Sequence, residues 1–355
     1  MHKEFASQLE SLSLSEGSGV STPTQPSHTG SDATVSPCPE LDDTSSPESE
    51  LRPQDTLLEV LSTPDRGLAV FTRRKIKAGT LILAETPLIF LSKADENDAV
   101  AIEKEFYRLS RPDQKAYLKL FDAQKSRMSQ VVSIYYSNCY NCEGFKLDGT
   151  GGSALGAMAS RINHSCIPNV QFSYHEPSNK MRFFTIRDIA RGKEVVSNYE
   201  RTVTDVAAKR QRKQQMYYGF TCRCEACVPR SEFWEKSDER RKGMHDAIRT
   251  VQVCEKRFVD RDAAIAQVER VEIATEALEA LAKLETLLSK ESLVGVPLAN
   301  AYRSMAKWEE RKGEIDSREV MKWKTRELEV CTNAFGKDAQ RTMDIRVKLE
   351  ELRAG

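Results

Sequence analysis

Short apolar runs separated by turn residues fill the first half of the chain after residue 57. Such runs, bounded by Gly, Pro, Asn or Lys, are typical of β-strands joined by tight turns. The pattern predicts strands at 68–71, 80–84, 169–174, 181–186 and 195–199.

Two other stretches have the spacing of helices. Ile102, Phe106 and Leu109 fall at helical intervals, so residues 95–130 are predicted as a helical insertion. After Cys227 the apolar positions recur every three or four residues, with breaks at Gly and Pro. The predicted helices are 236–258, 262–290, 297–312, 317–335 and 337–353. Paired helices of this length resemble a short helical-repeat array.

The fold class predicted from these patterns is α+β, in two folded units behind a tail. The first unit, 56–230, is β-rich and carries a helical insertion at about 92–135 and a cysteine-rich segment at 218–230. The second unit, 231–355, is all helical.

Residues 1–55 differ from the rest of the chain in composition. Ser, Thr, Pro and Gly make up 26 of these 55 positions, and Phe5 is the only aromatic residue. A segment with so little apolar surface cannot offset the entropy of ordering. We therefore predict a disordered tail.

The balance of charge is uneven along the chain. The 53 basic and 53 acidic residues cancel overall, but residues 1–55 hold ten acidic and two basic residues. The remaining body is mildly basic. No apolar run reaches the length of a membrane span, so no membrane partner is expected. The basic cluster Lys209, Arg210, Arg212 and Lys213 is interpreted as a solvated helix face, and nucleic acid is not expected as a direct ligand.

Nine cysteines without a secretory signal indicate a reducing compartment, and hence a cytoplasmic or nuclear protein. Cys222, Cys224 and Cys227 place three thiols within six residues, a spacing that suits Zn²⁺, and Cys166 offers a fourth ligand. The alternative is a set of incidental cysteines in a loop. The pair Cys139 and Cys142 lacks further ligands, and neither a metal nor a redox role is assigned to it.

Four segments together resemble the SET and MYND domain family of protein lysine methyltransferases. They are RGLAVF at 66–71, RINHSCIPN at 161–169, GKEV at 192–195 with Tyr199, and YGFTCRCEAC at 218–227. The resemblance covers about residues 57–353, including the helical last third. The chain departs from the family at Asp65 and Ala69, where glycine is frequent, and the Cys/His pattern of a MYND module is absent from 72–160.

The resemblance implies S-adenosylmethionine as methyl donor and a protein lysine as acceptor. Tyr199 matches the catalytic tyrosine, Tyr218 a second tyrosine at the reaction centre, and Tyr140 an aromatic residue of the lysine channel. The residues that match cofactor contacts are Arg66, Gly67, Leu68, Asn163, His164 and Phe220. The cysteines that match its zinc ligands are Cys166, Cys222, Cys224 and Cys227.

The same resemblance implies a protein partner that carries the target lysine, with histones among the candidates, and a monomer is expected. The alternative is a catalytically silent scaffold of the same fold, whose helices bind a partner peptide. The substitutions at Asp65 and Ala69 favour the scaffold, whereas Tyr199, Asn163 and His164 favour the enzyme.

Overall fold

The structure is a computed structural model that describes residues 53–123, 128–142, 151–200, 202–229, 231–259, 266–313 and 317–354. The predicted tail, 1–55, lies outside these residues except at its last three positions, which belong to a short helix. The domain limits 56–230 and 231–355 stay predictions.

The described strands all lie between residues 58 and 197. Strands β1 to β10 are Leu58–Thr63, Gly67–Thr72, Leu81–Glu85, Ile89–Ser92, Tyr140–Asn141, Gly152–Leu155, Asn163–His164, Val170–His175, Lys180–Thr185 and Val196–Ser197. They form small sheets with the orders β1-β2, β3-β9-β8, β4-β6-β5 and β10-β7. All pairs are antiparallel except β7 with β10, which is parallel.

The helices after residue 231 each contact the next one along the chain. Helices α1 to α10 are Pro53–Leu57, Ala99–Arg108, Arg111–Tyr117, Gln130–Asn138, Ala207–Tyr218, Glu232–Val259, Gln267–Lys290, Val296–Arg311, Ser317–Phe335 and Gln340–Ala354. The predicted α+β class and the all-helical C-terminal region are confirmed.

The predicted strands and helices agree with the structure to within a few residues where the apolar pattern is regular. The hairpin β8–β9 has Phe172 opposite Phe183, and both side chains are buried in the core of the β-rich region. Strands β1, β4, β5, β6 and β7 were not predicted. Of these, β6 is buried at every position, so its sequence shows none of the alternation of a half-exposed strand.

The parallel pair β7–β10 brings two remote segments of the chain together. Asn163 and His164 lie opposite Val196 and Ser197. The Asn169 side chain then joins the same two segments, because its Nδ2 donates to the Glu194 carbonyl at 2.8 Å and its Oδ1 accepts from the Val196 amide at 2.8 Å. The end of β10 is therefore fixed against the segment that contains His164.

The helical region has its own apolar core. Leu281, Leu284 and Leu288 of α7 are buried there with Trp308 of α8, as the leucine spacing of the sequence indicates. An ion pair joins this region to the sheet β3-β9-β8, since Arg182 of β9 contacts Asp338 between α9 and α10. Within the residues described, no helix combines the length and the apolarity needed to cross a bilayer.

Candidate functional site

The residue that follows β10, Tyr199, is held at both ends by hydrogen bonds. Its hydroxyl donates to the Ile162 carbonyl at 2.9 Å, and its amide donates to Nδ1 of His164 at 3.1 Å. Both bonds exist because β7 and β10 run side by side. Burial raises the pKa of the Tyr199 phenol well above its ordinary value, so the hydroxyl is protonated and its oxygen keeps lone pairs for another donor.

His164 lies between Tyr199 and the cysteine cluster. Its ring centroid is 5.1 Å from that of Tyr199, and its Nε2 is 3.4 Å from Sγ of Cys166. Burial lowers the pKa of His164 to about 3, so the imidazole is neutral. Because Nδ1 accepts from the Tyr199 amide, the ring proton is on Nε2 and points to the sulfur.

Aromatic rings continue from Tyr199 along the end of α5. The Tyr218 ring lies 5.1 Å from that of Tyr199 and 6.3 Å from that of Phe220. Gly219 ends the helix with a φ of 72°, a left-handed conformation that glycine adopts without strain. This turn lets residues 218 and 220 point to the same side, whereas Tyr217 is 52% exposed.

Tyr140 packs against the apolar core of the β-rich region. Its ring packs against Phe172 and Phe183, with centroid distances of 4.8 and 5.3 Å, and its hydroxyl donates to the Ala159 carbonyl at 3.2 Å. Burial raises the pKa of Tyr140, as it does for Tyr218, so these phenols are also neutral.

Glu194 connects two of the predicted cofactor-contacting residues. Its carboxylate accepts from Nη1 of Arg66 at 2.5 Å and from Nδ2 of Asn163 at 2.9 Å. Arg66 also donates through Nη2 to the His164 carbonyl at 2.6 Å. Glu194 lies in the segment GKEV, but no role was predicted for it, since a glutamate after Gly-Lys resembles any surface charge.

The backbone next to Arg66 is open. Gly67 has a φ of 66°, and a Cβ built on it would meet no atom within 4 Å. Leu68 is 43% exposed, and Phe220 is half-buried. This surface has room for a ligand with an apolar part.

The four cysteines predicted as metal ligands lie together. Their sulfur atoms are all within 4.8 Å of one another, with Cys166 at 3.9 Å from Cys222 and 3.6 Å from Cys227. Four sulfurs around a tetrahedral Zn²⁺, each about 2.3 Å from the metal, lie about 3.8 Å apart. The donor set and its spacing therefore fit zinc.

Backbone contacts hold the cysteine loop in this shape. The Cys227 amide donates to the Cys224 carbonyl at 2.8 Å, which closes a tight turn. Gln211 of α5 bonds both backbone groups of Cys222, donating to its carbonyl at 2.7 Å and accepting from its amide at 2.9 Å.

Comparison with known proteins agrees with this geometry. The family described as "SET domain" matches residues 67–200, which include Asn163, His164 and Tyr199. The chain contains a SET domain. The cysteines 222–227 follow directly after the matched residues.

Several proteins are similar to this chain over the SET domain and its flanks. Histone-lysine N-methyltransferase set5 of Schizosaccharomyces pombe is 30% identical over 197 residues, 54% of this chain and 57% of that protein. A putative SET domain-containing protein, L678, of Acanthamoeba polyphaga mimivirus is 25% identical over 220 residues, 53% of this chain and 84% of its own length. N-lysine methyltransferase SMYD2-B of Danio rerio is 32% identical over 133 residues, 36% of this chain and 26% of that protein.

The match extends over little more than half of the fission-yeast protein and about a quarter of the zebrafish one. The activity, substrates and partners of the whole chain are therefore proposals.

The basic cluster after the SET domain differs from the interpretation made from sequence. Arg210 is 3% exposed and donates to the carbonyls of Asp205 and Ala226. Lys209 and Lys213 form ion pairs with the buried Asp205 carboxylate. Arg212 is exposed, and the Lys209 side chain is 43% exposed. The interpretation as a solvated face was wrong for Arg210, because the inner face of α5 is polar and the apolar pattern does not mark it.

A cavity of about 260 Å³ lies elsewhere, between the end of β9 and helices α8 and α9. Ile186, Leu298, Tyr302 and Val330 are among its lining residues, and it contacts none of the predicted site residues. It is therefore not a part of the site around Tyr199.

Proposed function

We propose that this protein is a zinc-containing lysine methyltransferase that transfers a methyl group from S-adenosylmethionine to a lysine amine of another protein. The observation that carries the proposal is the position of Tyr199 in the SET domain. Hydrogen bonds to Ile162 and His164 hold this residue next to the Tyr218 ring. The names of the relatives from fission yeast and zebrafish agree with this chemistry.

The role proposed for Tyr199 follows from the direction of its hydrogen bond. Since the hydroxyl gives its proton to Ile162, the phenol oxygen can accept an N–H from an incoming amine. That bond would orient the nitrogen lone pair, and orientation of two reactants can lower a barrier by several kcal/mol (about 7 in favourable cases).

The aromatic rings would keep the lysine amine uncharged before transfer. An apolar channel lined by Tyr140, Tyr199 and Tyr218 disfavours the ammonium, so its pKa falls and the proton leaves to water. The ring faces still attract the methylated ammonium that forms. All three phenols are neutral, so none of them holds the ammonium by an ion pair.

S-adenosylmethionine, when bound, supplies a methyl group on a positively charged sulfur. We assign its contacts to Arg66, Gly67, Leu68, Asn163, His164 and Phe220. The open backbone at Gly67 and the incomplete burial of Leu68 and Phe220 support this assignment, because both leave surface for a ligand. Phe220, whose ring lies 5.9 Å from that of His164, offers a face for an adenine.

Zinc is proposed at Cys166, Cys222, Cys224 and Cys227. Four thiolates cannot be buried side by side without a cation, and the metal would fix the 218–227 segment against His164. Its role is structural, since four protein ligands leave no open coordination position.

The test is radiolabelled methyl transfer from S-adenosylmethionine to histones and to proteins of a cell extract. Tyr199→Phe removes only the hydroxyl, so we expect a loss of at least about 10²-fold in rate with cofactor binding retained. Tyr107→Phe, at a 71% exposed position, is the matched control and keeps full activity. Cofactor binding without transfer by the unmodified chain would favour the scaffold alternative.

A further inference from the structure

Two buried arginines lie against the cysteine cluster from the C-terminal side. Arg210 of α5 has Nη2 at 3.5 Å from Sγ of Cys227, and Arg241 of α6 has Nη2 at 3.0 Å from the Cys166 carbonyl. Their side chains are 3% and 1% exposed. A buried guanidinium is unfavourable unless its charge is compensated.

The charge of Arg241 is compensated by a carboxylate. Glu291, which is fully buried, accepts from Nε of Arg241 at 2.9 Å and from Nε of Arg240 at 2.5 Å. Arg241 needs no further anion, and its contact with Cys166 is to a neutral carbonyl.

Arg210 differs from Arg241 in this respect. Its shorter hydrogen bonds, 2.6 and 2.7 Å, end on the neutral carbonyls of Asp205 and Ala226. The nearest carboxylate among its ion pairs, that of Asp238, is 3.6 Å away and 39% exposed. The buried Asp205 carboxylate is already paired with Lys209 and Lys213. Sγ of Cys227 is therefore an anion within reach.

The cysteine cluster has the complementary charge. One Zn²⁺ with four thiolates carries a net charge of −2. Its neighbours include the neutral His164 ring and the apolar residues Ile167, Ala226 and Phe233. A positive group placed at a ligand sulfur lowers the cost of burying that charge.

We propose that Arg210 is the electrostatic partner of the zinc–thiolate centre and sets how strongly the metal is held. The inference rests on the zinc site proposed above. It gives α5 a function beyond carrying Tyr218, because the helix that delivers the ring also supplies the charge that keeps the cysteine loop closed.

The test is zinc affinity, measured by elemental analysis and by competition with a chromophoric chelator. Arg210→Met keeps the length of the side chain without its charge, and we expect zinc to be held 10- to 100-fold more weakly, roughly the effect of losing a group that supports a metal ligand. Arg210→Lys keeps the charge but not the planar set of N–H donors. We expect this variant to lose less zinc affinity than Arg210→Met. Arg212→Met, two residues along on the exposed side of α5, is the control and retains the affinity of the unmodified chain.

The possible outcomes distinguish a wrong zinc assignment from a wrong role for Arg210. An unmodified chain without zinc overturns the ligand assignment. A zinc-containing chain in which Arg210→Met and Arg210→Lys both bind zinc as tightly as Arg212→Met overturns the role of Arg210 alone. If Arg210→Met does not fold, as judged by circular dichroism, Arg210→Gln decides, because it removes the charge but keeps a polar side chain. Zinc affinity in Arg210→Gln equal to that of Arg212→Met then overturns the role of Arg210.

Discussion

The amide of Tyr199 and the Nδ1 of His164 are 3.1 Å apart, and the same imidazole has its Nε2 3.4 Å from Sγ of Cys166. One neutral ring thus joins the proposed catalytic tyrosine to a proposed zinc ligand. The metal site and the methyl-transfer site are therefore expected to respond together when this ring is changed.

Replacing His164 by Phe tests that coupling. Phe keeps an aromatic ring but can neither accept from the Tyr199 amide nor donate to the sulfur, so we expect at least about a tenfold loss of methyl transfer, as one hydrogen bond of about 1.4 kcal/mol would give. We also expect weaker zinc retention. Rates and zinc content are measured on the same preparation.

His245→Phe, at a half-buried position of α6, is the control and changes neither quantity. A His164→Phe variant that loses activity but keeps zinc at the affinity of the unmodified chain would show that the two sites are independent.

Sequence alone predicted the parts of this site whose residue types are rare. Cysteines spaced as at 222, 224 and 227 have few uses in a reducing compartment, and their pairing with Cys166 followed from the need for a fourth ligand. The roles of Tyr199 and Tyr218 were predicted from the resemblance of the ordered segments to a known family. The structure agrees with the choice of Tyr218, since its ring lies 5.1 Å from that of Tyr199, whereas Tyr217 is 52% exposed.

Other parts could not be predicted, because common residues carry them. Glu194, Arg210 and Arg241 are of types that are usually solvated, and nothing in a local sequence marks them as buried or partly buried. The parallel pair β7–β10 has two residues in each strand and joins segments more than thirty positions apart, so no periodicity reveals it.

The pH dependence of methyl transfer tests the state of Tyr199. Burial holds the pKa of its phenol well above the ordinary value of 10, so the protonated hydroxyl persists through alkaline pH. The rate should rise from about pH 7 to 9.5 as more of the target lysine is deprotonated, without a decline caused by Tyr199. A falling limb in this range that Tyr199→Phe abolishes would show that the phenol ionises at its ordinary pKa.

Removal of one cysteine tests the zinc assignment. Cys224→Ser replaces a thiolate by a poor ligand, so we expect loss of most of the zinc and faster cleavage by trypsin after Arg223, whose side chain is 72% exposed. Cys139→Ser, a thiol outside the cluster, keeps zinc and protease resistance. Stoichiometric zinc in Cys224→Ser by elemental analysis would count against Cys224 as a ligand.

Glu194 is predicted to support cofactor binding rather than the chemical step. Glu194→Gln removes the charge that holds Arg66 and Asn163, at a cost of about 1–1.5 kcal/mol because Arg66 is partly exposed. This corresponds to about a tenfold rise in the KM for S-adenosylmethionine with kcat changed less than threefold. Glu272→Gln, exposed on α7, is the control. A tenfold fall in kcat with an unchanged KM for S-adenosylmethionine would instead mean that Glu194 acts in the transfer step.

The ion pair between Arg182 and Asp338 is predicted to stabilise the contact between the sheet β3-β9-β8 and the helical region. Both Nη atoms of Arg182 donate to the carboxylate, at 2.8 and 2.7 Å, and Nη2 also donates to the Phe335 carbonyl at 3.0 Å. The Arg182 side chain is 8% exposed, so Asp338→Asn leaves a buried charge with weaker acceptors. We expect the free energy of unfolding in urea to fall by about 1–2 kcal/mol. This is the lower part of the range for hydrogen bonds between charged groups, because Asp338 itself is exposed.

The pH sets the conditions for that measurement. The hydrogen bonds from Arg182 hold the pKa of Asp338 below its ordinary value of 3.8. A lowered carboxyl pKa contributes stability that is fully present above 3.8 and is lost as the pH falls through the folded-state value. Unfolding at pH 7.5 therefore reports the whole contribution. Asp246→Asn, at a 72% exposed side chain, is the control, and equal stabilities of the two variants would mean that the Arg182 pair contributes nothing to the packing of the two regions.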